Sequence, residues 1–321
     1  MNILVTGGCG FIGHNVVQTL EQLSHTVAII DNKTTYGIIP QAEIDHLLLQ
    51  RTKNINSPVY NASIESAETI NYVVEKHAPD VVVHLASFPR QKVVNSDPAW
   101  GSRTMMEGLF NLLESAKKHQ VRRFVYVSSS MVYGNFDNNV VESAVCNPEG
   151  QYGIMKLAGE WLVKDYARRT GMEAVIIRPS AVYGPLDVED RVVAKFMLTA
   201  MRGGELSVNG PDEKLDFTYV TDLSAGIVQA ALSDSAPGNT YNLTRSQSVT
   251  LLEAAETIVD IVGSGTVRVN NRDLNFPSRG SLNIDAARRD LNFNPTVNVA
   301  DGFERYYESL SNSVHWSATT V

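Results

Sequence analysis

The chain has 321 residues, 43% of them apolar, and a formal net charge of −8. That length and apolar content fill one compact unit or a large domain with a smaller companion, and the acidic balance offers no basic face to a nucleic-acid polymer. No apolar run approaches the roughly 20 residues that span a bilayer, and the N-terminus lacks the basic flank of a signal peptide.

The first element is an apolar run, Ile3 to Val5, suited to a buried parallel strand, and it breaks at once into glycines. Gly7, Gly10 and Gly13 fall three apart, with Gly8 adding room. Glycine here permits a tight turn, close backbone approach to a pyrophosphate and packing of the next helix on the strand. The first amides of that helix then face the phosphate charge. Glycine-rich turns also serve purely structural ends, so the following strand matters. Val27 to Ile30 ends in Asp31, eighteen residues after Gly13, where a dinucleotide-binding unit sets an acid on the adenosine ribose. An acid there repels a 2′-phosphate and favours NAD over NADP, a preference that nearby Lys33 weakens. Tyr36 to Asn56 is a polar insertion with a short helix expected around Gln41 to Arg51.

Val81 to Leu85 and Phe124 to Val127 are further strand-like runs, the second followed by Ser128, Ser129 and Ser130. The stretch QYGIMKLAGEWLVKDYARR then has helical spacing and puts Tyr152 and Lys156 four apart on one face. A lysine so placed lowers a tyrosine pKa from about 10 towards working pH, as a general acid or base requires. Tyrosine four residues before lysine is common and carries little alone. With the glycine turn and the serine run, three elements agree on hydride transfer coupled to proton transfer.

Ala174 to Ile177 completes a series of strands alternating with helical stretches. The fold class is α/β, a doubly wound parallel sheet whose crevice at the strand carboxyl ends holds NAD. After Pro179 the elements shorten, punctuated by Gly184-Pro185, Gly203-Gly204 and Gly210-Pro211. This predicts a cofactor domain over 1–179 and a smaller C-terminal α/β substrate-binding lobe over 180–321, without a linker and with a shared core. Ser311 to Val321 has the composition of a frayed tail. Only Cys9 and Cys146 are present; without a CxxC pair or clustered histidines they predict a reducing cytoplasm and no metal site.

These residues resemble the extended short-chain dehydrogenase/reductase family, and within it the nucleotide-sugar epimerases and dehydratases, along nearly the whole chain. The matching pieces are TGGCGFIG at Thr6 to Gly13, Asp31, HLAS at His84 to Ser87 and SSSMVYG at Ser128 to Gly134. They continue with YGIMK at Tyr152 to Lys156, IRPSAVYGP at Ile177 to Pro185, LDFTYVTD at Leu215 to Asp222 and PSRGSLNID at Pro277 to Asp285. The resemblance implies a Rossmann domain that holds NAD through Gly7, Gly10, Phe11, Ile12, Gly13, Asp31, Asn32, Ser63, Ile64, Leu85, Ala86, Ser87, Tyr152 and Lys156. It implies a nucleotide-diphosphate sugar as substrate, oxidised usually at C4, with Tyr152 removing the hydroxyl proton and Lys156 holding the nicotinamide ribose. The family's catalytic hydroxyl lies five residues before the glycine of VYG, which is Ser129. Ser128 and Ser130 are expected to hydrogen-bond to the strand end rather than to catalyse, with Ser130 also on the substrate side.

Several positions depart from the family pattern. Dehydratases carry Asp-Glu after the catalytic hydroxyl, whereas this chain has Ser130 and Met131. Methionine cannot transfer a proton, so elimination of water lacks its base. Epimerisation at C4 needs no third acid-base group, because the 4-keto intermediate turns over in the pocket and hydride returns to its other face. A reductase or dehydrogenase, a 4,6-dehydratase and a non-enzymatic nucleotide sensor stay open as alternatives. The family asparagine seven residues after the DP motif is Met105, and the acid after the third strand is replaced within Tyr60 to Ile64, with Ser63 its counterpart. The arginine before Asp-Phe is Leu215, preceded by Lys214, and lysine binds a diphosphate only as a point charge. Arg279 matches the remaining family arginine, and Arg191 is a second substrate-binding candidate. Arg90 lies where the family loop passes the sugar and suits a solvated loop residue equally well. The resemblance also implies a homodimer packed through helices around Thr104 to His119 and Tyr152 to Thr170, with Met105, Leu109, Leu112, Trp161 and Leu162 as contacts; burial in the monomer core explains the same residues as well.

Overall fold

The computed structural model describes residues 1–34, 39–88, 91–274 and 276–312. Part of the polar insertion, Arg90, and the tail from residue 313 onward lie outside them. The first half of the chain runs β1 (Asn2–Thr6), α1 (Gly13–Gln22), β2 (Thr26–Asp31), α2 (Gln41–Thr52), β3 (Val59–Asn61), α3 (Ala67–His77), β4 (Val81–His84), α4 (Gln91–Ser96) and α5 (Pro98–Ser102). A π-helical turn, Arg103–Glu107, leads into α6 (Gly108–Lys118), β5 (Arg123–Val127), a 3-10 turn at Ser130–Tyr133, α7 (Gln151–Thr170) and β6 (Glu173–Pro179). The second half runs β7 (Val182–Tyr183), α8 (Val192–Met201), β8 (Glu205–Asn209), β9 (Lys214–Asp216), β10 (Thr218–Tyr219), α9 (Val220–Leu232), β11 (Thr240–Leu243), β12 (Ser248–Thr250), α10 (Leu251–Val262), β13 (Thr266–Asn270), α11 (Asp285–Leu291) and α12 (Val299–Ser311).

Seven strands form one parallel sheet in the order β11-β6-β5-β4-β1-β2-β3. The central strands β1, β4 and β5 are buried on both faces, which is why they read as continuous Val/Ile/Leu runs. Side chains alternate between two cores. Ile3, Val5, Val83, Val125 and Val175 point to one, and Leu4, Val82, Phe124, Tyr126 and Ile176 to the other. The order of connection reverses between β1 and β4, the position at which such sheets open a ligand crevice.

All five strands read from apolar runs are present. The two strands of this sheet not read, β3 (VYN) and β11 (TYNL), are short and poor in aliphatic residues. β11 comes from the C-terminal half yet pairs with β6, and α9 packs against the same core as α1. The remainder of the C-terminal lobe wraps short strand pairs, β8 with β13 and β9 with β12, around a cluster that includes Tyr183, Phe217 and Phe303. Among the described residues no helix is long and apolar enough to cross a membrane.

Candidate active site

The crevice is built where β1 meets β4. The chain leaves β1 at Gly7 with φ +73°, and a Cβ added there would stand 2.7 Å from the Ala86 amide nitrogen. A Cβ on Gly13 would sit 2.0 Å from the Gly7 carbonyl oxygen. Only glycine lets the turn close this tightly on the start of α1 and on the turn after β4. Leu85 N donates to Thr6 O at 3.1 Å, Ala86 N to Thr6 Oγ1 at 3.3 Å, and Thr6 Oγ1 lies 2.7 Å from His84 Nδ1. The glycine turn and Leu85, Ala86 and Ser87 are therefore tied side by side. Burial pushes His84 down to about 3 and His14 down to about 4, so both rings are neutral near pH 7. His14 Nδ1 donates to Gly10 O at 3.0 Å and braces the turn from below. Ile12 caps α1 without a side-chain hydrogen bond; Gly10 O takes the His14 amide at 3.1 Å, and a helix start without a side-chain cap suits an anion.

Asp31 ends β2 and accepts Cys9 N on one oxygen at 2.8 Å and Lys33 N on the other at 2.7 Å. Burial raises its pKa, while these two amides and the cations Arg51 and Lys33 pull it back down. Asn32 follows it, and Ser63 and Ile64 follow β3 on the same side. Ser63 Oγ accepts Glu65 N at 3.2 Å, and Ile64 is buried beside Gly108, where a Cβ would meet its Cδ1 at 2.6 Å.

β5 ends in the serine run. Ser129 Oγ accepts the Met131 amide at 3.2 Å and acts on the Tyr152 phenol to lower its pKa. Gly150, with φ +78°, turns the chain into α7 two residues before Tyr152. Lys156 Nζ donates to Val127 O at 2.8 Å and lies 5.9 Å from the centre of the Tyr152 ring. Burial lowers the Lys156 pKa to about 7, opposed by Glu160. Burial also holds the Tyr152 phenol above its ordinary range; Arg191 and then Ser129 pull it down. The Lys156 ammonium is tied to the strand end, and the cation that pulls the phenol down is Arg191, which precedes α8.

Ser128 and Ser130 are buried. Ser128 Oγ donates to Glu160 Oε1 on α7 at 2.6 Å, in place of the strand-end bond expected of it. Glu160 in turn pairs with Arg178, whose Nη1 reaches Tyr133 Oη at 2.9 Å. The apolar periodicity of α7 gave no sign of this network. Arg279 Nη1 lies 3.9 Å from Met131 Sδ, so the residue standing in the dehydratase acid position faces the family arginine. Leu215 is buried in the core of the C-terminal lobe and presents no charge to a diphosphate. Sequence reasoning also missed Arg51. From α2 it donates Nε and Nη2 to Leu186 O at 3.1 and 2.6 Å, while Glu43 accepts Glu189 N at 2.8 Å. The two contacts clasp the loop that leads to Arg191.

The arrangement combines a dinucleotide cradle with a tyrosine, lysine and serine at its inner end. The pattern described as the NAD dependent epimerase/dehydratase family matches residues 3–244. The chain belongs to that family. It is 29% identical to a protein named uncharacterized UDP-glucose epimerase YtcB, from Bacillus subtilis, over 97% of this chain and 98% of that one. It is likewise 29% identical to dTDP-glucose 4,6-dehydratase of Streptomyces niveus, over 98% and 94%. The crystal structure of UDP-glucuronic acid 4-epimerase from Bacillus cereus, with UDP-glucuronic acid and NAD, superposes with a TM-score of 0.88 at 27% identity, covering 96% of this chain and 98% of that one. UDP-glucose 4-epimerase from Thermotoga maritima, with UDP-glucose, gives 0.87 at 27%, covering 97% and 99%. The family is NAD-dependent, and the residues here fit that cofactor. The glycine turn leaves backbone room for a pyrophosphate, the α1 N-terminus is uncapped, and an acid stands at the ribose position.

Proposed function

We propose that this enzyme is a nucleotide-sugar epimerase acting at C4 through a transient 4-keto intermediate. The observation that carries the proposal is Met131: beside an intact Ser129, Tyr152 and Lys156, the position from which a dehydratase takes its elimination base holds a thioether against Arg279. NAD, when bound, takes up and returns the hydride. Tyr152 removes the C4 hydroxyl proton, with the Ser129 hydroxyl and the Arg191 cation favouring the phenolate as it forms. Lys156 holds the ribose hydroxyls on the nicotinamide side. Ser129, Ser130, Arg191 and Arg279 are the groups proposed to contact the sugar nucleotide, with Arg279 on the diphosphate. Relatives named for UDP-glucose and UDP-glucuronic acid support a uridine nucleotide.

The enzyme is proposed to work in the cytoplasm, in keeping with its two free cysteines, and as a homodimer through α6 and α7, because Phe110, Ile154 and Trp161 on those helices are exposed, Trp161 by 69%. Size exclusion with light scattering tests the dimer, and a monomer at micromolar concentration removes it. The reaction is tested with UDP-sugars deuterated at C4. An epimerase returns the label to the same carbon in ordinary water with no net NADH. A reductase requires added reduced cofactor in stoichiometric amounts, and a dehydratase yields a product lighter by one water. Either of those outcomes, with no label-retaining epimer, overturns the proposal.

A further inference from the structure

Arg279 stands on a stretch of chain with little structure of its own. Among the described residues between β13 and α11 there is no helix or paired strand, only a single bridge from Leu282 to Val140. On one side the stretch lies against the loop after the 3-10 turn, where Phe136 N donates to Ser278 O at 3.0 Å and Val140 N to Ser281 O at 3.1 Å. On the other side it meets a buried carboxylate. Asp216, the last residue of β9, is 0% exposed. Its Oδ2 accepts Leu282 N at 3.0 Å and Thr244 Oγ1 at 2.7 Å, and its Oδ1 accepts Gln247 N at 3.4 Å. One side chain thus joins β9, the loop after β11 and the segment of Arg279. These partners are amides and a hydroxyl rather than a cation, and burying a carboxylate among them is unfavourable unless it fixes something. Burial raises the carboxyl to about 6, opposed first by the Leu282 amide and then by Thr244, so it is mostly ionised near neutrality. Successive residues of a strand point to opposite faces. Leu215 fills the lobe core while Asp216 turns to the segment three residues beyond Arg279.

We propose that Asp216 is a positioning residue for substrate binding, clamping the segment 277–283 so that Arg279 is held ready for the diphosphate of the nucleotide sugar. The inference rests on the assignment of Arg279 to the diphosphate made above. A long cationic side chain on unpaired backbone must be ordered when an anion binds, and that ordering weakens affinity. The Asp216 carboxylate orders the backbone beforehand through the Leu282 amide. It touches neither substrate nor cofactor, so its removal weakens ground state and transition state alike, which raises KM and leaves kcat unchanged.

The test uses the full chain loaded with NAD, as wild type, Asp216→Ala, Arg279→Leu and the double variant. Two quantities are measured on each: the dissociation constant for UDP, which carries the diphosphate without the sugar, and amide hydrogen exchange along the chain. Asp216→Ala should bind UDP about tenfold more weakly, the scale of one lost hydrogen bond to a charged group, with NAD affinity within about twofold of wild type. Exchange should rise in 277–283 and stay unchanged in α7, since local opening is read residue by residue. In the double variant the Asp216 substitution should add less than about twofold to the effect of Arg279→Leu, because the carboxylate acts through that arginine. Unchanged exchange in 277–283, a full further tenfold loss in the double variant, or equal weakening of NAD and UDP each overturns the positioning role. A different result refutes the diphosphate assignment instead: Arg279→Leu binding UDP as wild type does, while Asp216→Ala still speeds exchange in 277–283. If Asp216→Ala does not fold, Asp216→Asn, similar in size but uncharged, is judged by the same criteria.

Discussion

Arg178→Met removes one half of the ion pair that joins the catalytic helix to the sheet. Arg178 Nη2 lies 2.6 Å from Glu160 Oε2 and Nε 2.9 Å from Oε1, with the two side chains 4% and 1% exposed. The same Glu160 oxygen takes the Ser128 hydroxyl, and Arg178 Nη1 also reaches Tyr133 Oη and Glu142 O. Without the guanidinium, Glu160 is a buried carboxylate left with one hydroxyl donor, which costs about 3–5 kcal/mol. A chain of this length unfolds with an entropy of about 0.7 kcal/mol per kelvin, so the melting temperature should fall by about 4–8 °C. Glu160→Leu added to Arg178→Met removes the stranded charge and should recover most of the loss, since replacing both partners of a buried pair is often near neutral. Thermal unfolding followed by far-ultraviolet circular dichroism on NAD-loaded protein measures both variants. A loss below about 1 kcal/mol in the single variant, or a double variant no more stable than the single, would refute the reasoning.

Tyr152→Phe keeps the ring and its packing but removes the ionisable hydroxyl; turnover should drop by about 10²-fold or more while NAD content and the fold survive, and near-normal turnover would move proton transfer to another residue. Arg51→Leu releases the Leu186 carbonyl from two charge-assisted bonds, worth about 1.5–3 kcal/mol each. The loop carrying Arg191 should then loosen and KM for the nucleotide sugar rise several-fold at similar NAD affinity; an unchanged KM argues against the clasp. Acid should destabilise the cofactor domain through His14, whose pKa is lowered by burial from 6.5 to about 4. Between those values the unfolded chain binds a proton that the folded chain does not, so stability falls as pH drops through that window, by about 3 kcal/mol at its lower end. His14→Gln should flatten the pH dependence by one proton, although His84 continues to contribute; a curve identical to wild type counts against a neutral buried His14.

What the sequence made legible was local chemistry. The strands buried on both faces announce themselves as apolar runs, the glycine turn needs residues within eight positions of one another, and Tyr152 and Lys156 share a helical face because they are four apart. The groups that escaped are joined only by folding. Arg51 meets Leu186 and Arg279 meets Met131 across 135 and 148 residues. Glu160 and Arg178 are only 18 residues apart, but their pairing depends on how α7 lies on β6, which helical periodicity does not specify.

The two departures near the substrate end are linked by geometry. Losing the family arginine at Leu215 removes a cation from the diphosphate side, and Leu215 instead fills the core of the C-terminal lobe. Methionine at 131 removes an anion that would stand within reach of the Arg279 guanidinium, since Nη1 is 3.9 Å from its sulfur. Burial lowers the Arg279 pKa to about 10, opposed by Glu213, and the group is still charged near neutrality. An acid at 131 would pair with that charge and compete with the substrate for it, whereas a soft, uncharged sulfur does not. Under the proposed function, the substitution that withdraws the elimination base would also leave Arg279 free for the diphosphate, in place of the arginine missing at 215.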